Sequence, residues 1–418
     1  MEVTSLGAII ALIIAIILII KRVPPAYGMM AGALIGGIIG GAGLSGTVSL
    51  MITGGSSMAS SILRIMAAGI LAGVLIESGA ASTIAERIVN KIGESRALIA
   101  ITLSTWALTS VGVFGDVACI TVAPIAIQIA QRAGYSKSGI MLALIGGVHA
   151  GNVMSPNPNA IALAESFSIP LTSVMLAGTV PAIFGIIATC ILTTRIKNKG
   201  SKVISSDMSV RSDESERPTL FASLIGPCVT IVLLALRPIC GIIIDPLIAL
   251  PAGGIVSAIA MKKTNKIISF ASSGLNKMSG VVLLLMGTGT IAGIISNSGL
   301  KDLIISGVDN LGLPGFILAP IAGISMGAAT ASCTAGATVA SQVFGTAILQ
   351  YGVTAVSAAV MIHAGCCVFD CLPHGSFFHV SAGSVNMDIK ERLKLIPYES
   401  CIGLIMTIVA TVVFGIII

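Results

Sequence analysis

The chain has 418 residues, of which 55% are hydrophobic and 10% charged, and its mean hydropathy is +1.04. A soluble domain carries about a quarter of its residues as charges, so water is excluded as the main solvent. The net charge of +6 does not signal nucleic acid, because most basic residues gather at the ends of apolar runs, where they anchor topology.

The first apolar run, 3–20, lacks a basic leader and a small-residue cleavage site, and Lys21 and Arg22 follow it. It therefore reads as a span and not as a signal peptide. Further runs cover 27–44, 58–76, 97–114, 117–130, 139–153, 171–193, 220–236, 247–261, 280–295, 311–326, 335–349, 353–368 and 398–418. Several are too short for a bilayer core of about 30 Å. The short ones pair up around 116–153 and 335–368, a pattern of discontinuous helices and re-entrant hairpins. The expected fold is an all-α polytopic membrane protein of about 10 to 14 membrane segments, built from two repeats with re-entrant hairpins and discontinuous helices.

Between the halves lies a polar stretch in which Arg195, Lys197, Lys199 and Lys202 sit at a helix end, the mark of a cytoplasmic segment. The expected division is a first half at 1–194, a linker at 195–218 and a second half at 219–418. A repeat supports it. Gly69, Ala72, Gly73, Ser78 and Gly79 recur 220 residues on as Gly289, Ala292, Gly293, Ser298 and Gly299; His149-Ala150-Gly151 recurs as His363-Ala364-Gly365. Duplicated halves are typical of secondary transporters.

Asp370 is the only carboxylate between Asn310 and Met387, where no Lys or Arg occurs, and Asp116 is the only charge from Ala97 to Gln131. A lone acid at membrane depth is costly, so each is a candidate ion-coupling group. His149 and His363 are candidates for the same role, because imidazole titrates near neutrality. Asn152, Ser155, Asn157 and Asn159, interleaved with Pro156 and Pro158, form a broken backbone that only a protein-lined or watery cavity tolerates. The helix started at Ala160 would offer its N–H groups to an anion. Asp370, His374 and Ser376 around Pro373 form its counterpart, and Thr330, Ser332, Thr334 and Thr338 add small hydroxyls among glycines and alanines. These residues are the candidate substrate-binding set, against a plainer reading of the hydroxyls as small-residue helix packing.

One rival constellation is His363, Cys366, Cys367, Cys371 and His374, which offers ligands suited to zinc or copper. The matching place in the first half has Asn152 and Met154, so no metal site is expected. The nine cysteines are odd in number and mostly lie in apolar runs, which argues against a disulfide framework. No phosphate-binding loop of the Gly-x4-Gly-Lys-Ser/Thr type occurs, so ATP is not expected to drive this chain, and no cofactor is implied. A channel would not need paired interrupted segments, and an intramembrane hydrolase would need a nucleophile motif that the sequence lacks.

The runs 149–165, 336–340 and 363–395 resemble stretches of the gluconate permease family of proton-coupled symporters, within the ion-transporter superfamily. Asp116 stands where that family tends to have a carboxylate. Ser155-Pro156-Asn157-Pro158-Asn159 stands where it has a Pro-His-Pro type of turn, and Asp370 with Ser376-Phe377 resembles its Asn-Asp-Ser-Gly-Phe stretch, here with 371–375 interposed. The resemblance implies two inverted repeats each with a re-entrant hairpin, a dimerising scaffold, a transport part that moves as an elevator, and import of sugar acids or hydroxy acids with protons. The expectation is a symporter in the inner (cytoplasmic) membrane, a homodimer, taking a small carboxylate with H⁺ and no nucleic acid. The alternative is a Na⁺-coupled carboxylate or D-serine-like amino-acid transporter, and behind it a metal-ion transporter using His363, Cys366, Cys367, Cys371 and His374.

Overall fold

The computed structural model describes residues 3–93, 96–204, 217–310 and 312–418. Asp207, Arg211, Asp213, Glu214 and Glu216 of the expected linker lie outside them. Among the described residues there is no strand, only two isolated bridges, as an apolar solvent requires: a helix satisfies its backbone internally. Six helical segments among the described residues are long and apolar enough to cross a bilayer, and the chain is a multi-pass membrane protein.

The first half runs through α1 (Ser5–Ile20), α2 (Pro25–Gly37), α3 (Gly43–Ser56), α4 (Ala59–Glu77), α5 (Ala80–Ile92), α6 (Ala97–Ser110), α7 (Gly115–Ala133), α8 (Lys137–Asn152), α9 (Pro158–Ser166) and α10 (Leu171–Ile196). Then follow α11 (Leu220–Cys240), α12 (Pro246–Ala260), α13 (Ile267–Ser296), α14 (Leu300–Asn310), α15 (Leu318–Thr330), α16 (Cys333–Gln350), α17 (Ala355–Cys366), α18 (Ser376–Ser384), α19 (Ile389–Leu393) and α20 (Ile396–Thr411). The order α4, α5, α6–α7, α8–α9, α10 recurs as α13, α14, α15–α16, α17–α18, α20. Gly79 and Gly299 fall at equivalent junctions, and His149 and His363 fall in the equivalent helices α8 and α17.

Two groups of helices emerge. In one, α2, α3 and α4 pack on α13, α12 packs on α4, and α11 on α12; in the other, α8 packs on α6 and α10, and α17 on α15, α10 and α20. The repeated glycines make the first group close. A Cβ on Gly73 would lie 2.3 Å from the Phe270 carbonyl oxygen, and one on Gly293 would lie 2.1 Å from that of Leu50. Small residues supply the contact that lipid does not drive.

Several elements differ from the sequence reading. The run 27–44 is not one span: Gly41, with φ of 95°, breaks it, and α3 continues to Ser56. The amphipathic α5 and α14 carry Glu86, Arg87, Lys91, Lys301 and Asp302, too many charges to register as apolar runs. The segments 117–130 and 335–349 extend to 19 and 18 residues in α7 and α16. Shortness falls on α6, α9, α15, α17 and α18: Pro156 and Pro373 stop the chain from continuing as helix between α8 and α9 and between α17 and α18, while α6 ends ahead of Gly112, with φ of 95°, and α15 ahead of Ala331, with φ of 45°.

Candidate functional site

Four interruptions approach one another in pairs. The break 111–114 between α6 and α7 lies beside the break 153–157 between α8 and α9, since a Cβ on Gly112 would lie 3.8 Å from Pro156 Cγ. In the second half a Cβ on Gly375 would lie 2.2 Å from the Ala331 carbonyl oxygen. Only glycine permits that approach between the α15–α16 break and the one ahead of α18. Ala331 itself takes φ of 45°, a left-handed conformation that costs a non-glycine residue about 1–2 kcal/mol.

Each break is held by its own polar residues. Asn157 caps α9, its Oδ1 accepting from the Ala160 N–H at 3.0 Å, while its Nδ2 donates to the Asn152 carbonyl at 2.6 Å and to Asn152 Oδ1 at 2.5 Å. Ser155 donates to the Asn152 carbonyl at 3.4 Å. In the second half Ser332 caps α16 by accepting from the Ala335 N–H at 3.3 Å, and Thr330 donates to the Met326 and Ser332 carbonyls at 2.8 and 3.1 Å. Thr338 donates to the Thr334 carbonyl at 2.8 Å. Several donors of the candidate set are thus engaged in backbone repair, which helices opened within a bilayer require.

Two of the contacts between the halves are made by candidate residues. Thr334, in the first turn of α16, donates to Asn159 Oδ1 on α9 at 2.5 Å. His149 Nε2 of α8 lies 3.0 Å from Asp370 Oδ1, with side chains 1% and 7% exposed. The two half-helices α9 and α16 therefore present their capped N-terminal ends at one place. Such ends attract anions.

Other candidates are placed apart. Asp116 is exposed in the first turn of α7, its carboxylate accepting from the Val117 N–H at 2.8 Å. His363 is fully buried, and neither ring nitrogen has a hydrogen-bond partner. His374 lies 3.3 Å from the Ala329 carbonyl. Ser376 is exposed at the start of α18.

The cysteines assemble differently from the sequence-derived cluster. Ligand atoms of His149, Asp370 and Cys371, and of Cys333, Cys367 and Asp370, form two groups of three, all buried, each within 4.8 Å. These atoms could surround a soft divalent ion. Neutral thiols account for them equally: Cys367 Sγ donates to the His363 carbonyl at 3.6 Å and faces Cys333 Sγ at 3.7 Å.

A buried ion pair was missed by the sequence reading. Arg392 and Glu399, with side chains 0% and 2% exposed, meet at 2.5 Å. Arg392 also donates to Ser381 Oγ at 3.3 Å and stacks 4.8 Å from the centre of the Phe378 ring, which fixes α18 from beneath. The available signal was Glu399 at the head of the last apolar run, an acid that needs a counter-charge.

Residues 3–252 match the model of a family described as GntP family permease, and residues 221–311 match a Na⁺-H⁺ antiporter family. An uncharacterized transporter of Haemophilus influenzae (strain Rd) is 58% identical over 414 residues, covering 99% of each chain. A low-affinity gluconate transporter of Escherichia coli K12 is 24% identical over 359 residues, covering 79% of each. The crystal structure of the Alcanivorax borkumensis YdaH transporter has the same fold, with a TM-score of 0.62 over 97% of this chain and 98% of that one, at 14% identity. Interrupted helices meeting inside a multi-pass bundle, together with these relatives, define a membrane transporter and not an enzyme. The chain belongs to the GntP permease family.

Proposed function

We propose that the protein is a proton-coupled symporter that imports a small organic acid, gluconate or a related hydroxy acid, across the inner membrane as a homodimer. The observation that carries this reading is the pair of contacts between halves, Asn159 with Thr334 and His149 with Asp370. The substrate carboxylate sits at the facing N-terminal ends of α9 and α16, where N–H groups and neutral Asn and Thr side chains bind an anion without a buried cation. Its hydroxyls reach Asn152, Ser155, Asn157, Ser332, Thr338, His374 and Ser376 as the strips loosen from their backbone partners. Asp370 and His149 share the coupling proton, because a buried carboxylate and imidazole in contact lose their charge separation when one proton moves. Asp116 and His363 are secondary proton carriers. The division into halves at 1–194 and 219–418 about a cytoplasmic linker belongs to the same reading.

The test is uptake into proteoliposomes of gluconate, glycerate, lactate, citrate and D-serine under an imposed pH gradient and, separately, a Na⁺ gradient. Saturable uptake of a hydroxy acid driven by the pH gradient is expected. Uptake driven by Na⁺ alone would replace the proton with Na⁺, the second reading, which the antiporter-family match over residues 221–311 favours. Absence of gradient-driven uptake of every acid would overturn the reading.

A further inference from the structure

Helix α10 has 26 residues from Leu171 to Ile196, about 39 Å of helix, enough to cross the bilayer. Its end adjoins the basic linker, so its beginning lies on the opposite face. There a cleft of about 80 Å³ opens between α9 and the turn joining α11 to α12, with Arg64, Ile161, Glu165, Arg237, Ile244 and Asp245 among its walls. One wall belongs to α9, the half-helix that carries Asn157 and Asn159; Ile161 follows Asn159 by two residues. The start of α10 at Leu171 adds to that side, and the remaining walls belong to the group of helices built around α4 and α12.

The charges in the cleft are unevenly used. Arg64 meets both carboxylates, with Nη1 2.5 Å from Glu165 Oε1 and a two-pronged contact to Asp245 at 2.6 and 3.0 Å. Arg237 is exposed and has no partner among the described residues. With two guanidiniums and two carboxylates the cleft is neutral, yet one guanidinium stays open. A planar guanidinium binds a carboxylate through two parallel hydrogen bonds, and the half-buried Ile244 in the same cleft disfavours a second charge on the ligand.

We infer that this cleft is the outer vestibule of the transport path, in which Arg237 receives a monocarboxylate and passes it along α9 to the Asn159–Thr334 contact. Arg64 is the positioning residue: it ties α9 to the α12 turn and keeps Glu165 and Asp245 from closing on Arg237. The inference rests on the transport reading and adds to it a preference for acids with one negative charge.

The experiment uses the full chain in proteoliposomes, with Cys228→Ser and Cys240→Ser as background and Ile244→Cys as reporter. Labelling of that thiol by an anionic methanethiosulfonate is timed with and without gluconate, glycerate or lactate, and gluconate uptake is measured alongside with and without Arg237→Gln. Because Arg237 is exposed, its loss leaves folding intact, which size-exclusion elution verifies. The expected result is slower labelling in the presence of a monocarboxylate, loss of that protection in Arg237→Gln, and a KM for gluconate raised about tenfold with Vmax nearly unchanged. Uptake with an unaltered KM in Arg237→Gln, or labelling indifferent to every acid, would overturn the vestibule. Protection without uptake would keep the anion site and overturn the transport reading, and absence of both would overturn both.

Discussion

The two interrupted strips occupy equivalent places in their repeats but are built from different chemistry. Seven residues after His149 the first strip has Pro156, whereas seven residues after His363 the second has Asp370. The first strip is held by neutral amides, Asn152 to Asn157 to Ala160; the second carries the acid, four thiols and an ion pair beneath it. His149 of the first strip pairs with Asp370 of the second, while His363 has no hydrogen-bond partner among the described residues. The strips thus differ in chemistry: the first is held by amides, while the second carries the acid alongside the hydroxyls of Thr330 and Ser332.

That contrast can be broken most forcefully beneath the second strip. Arg392→Leu leaves Glu399 as an unpaired buried charge, so stability should fall by about 3–5 kcal/mol; replacing both partners with apolar residues should recover most of it. Thermal unfolding in detergent of the single and double variants measures this, and equal losses in both would remove the ion pair from the account of how the strip is held. Asp370→Asn keeps shape and removes charge, and we expect proton-driven uptake to fall about a hundredfold, or about 2.7 kcal/mol. Exchange of labelled substrate without a gradient should survive better, because it needs no net proton movement. A wild-type response to the pH gradient in this variant would show that the acid strip does not couple.

Asn159→Ala tests the amide strip. It removes the acceptor of Thr334 and should raise KM about tenfold, while the dependence on the pH gradient is retained. A loss of gradient dependence instead would mean that the strips do not divide binding from coupling. The smallest effect belongs to the backbone: Ala331→Gly relieves a left-handed residue and should stabilise the protein by less than about 1 kcal/mol, since glycine also gives the unfolded chain more freedom. A clear loss of stability would indicate that the Ala331 methyl packs more favourably than its φ costs.

Much of this arrangement was legible in the sequence because the bilayer makes local signals severe. Two prolines among three asparagines at 152–159 cannot be a lipid-facing helix, and the α8–α9 break lies there. The His-Ala-Gly echo located equivalent helices. Less legible were α5 and α14, whose charges hide amphipathic helices from an apolar scan, and α3, whose Thr47, Ser49, Thr53 and Ser56 dilute its hydropathy. Partners far apart in the chain could not be read at all. Nothing local says that His149 meets Asp370 rather than Asp116, or that Cys371 approaches His149 while Cys333 approaches Cys367. The Arg392–Glu399 pair was missed because Arg392 lies outside any apolar run, where a cation reads as an anchor facing water.

The hydrogen bond from Thr334 to Asn159 has a consequence for biogenesis. Thr334 follows Asn159 by 175 residues in the chain, so during synthesis the Asn159 amide at the head of α9 enters the membrane before its donor exists. A truncated product ending before α16 would keep that amide without its donor permanently.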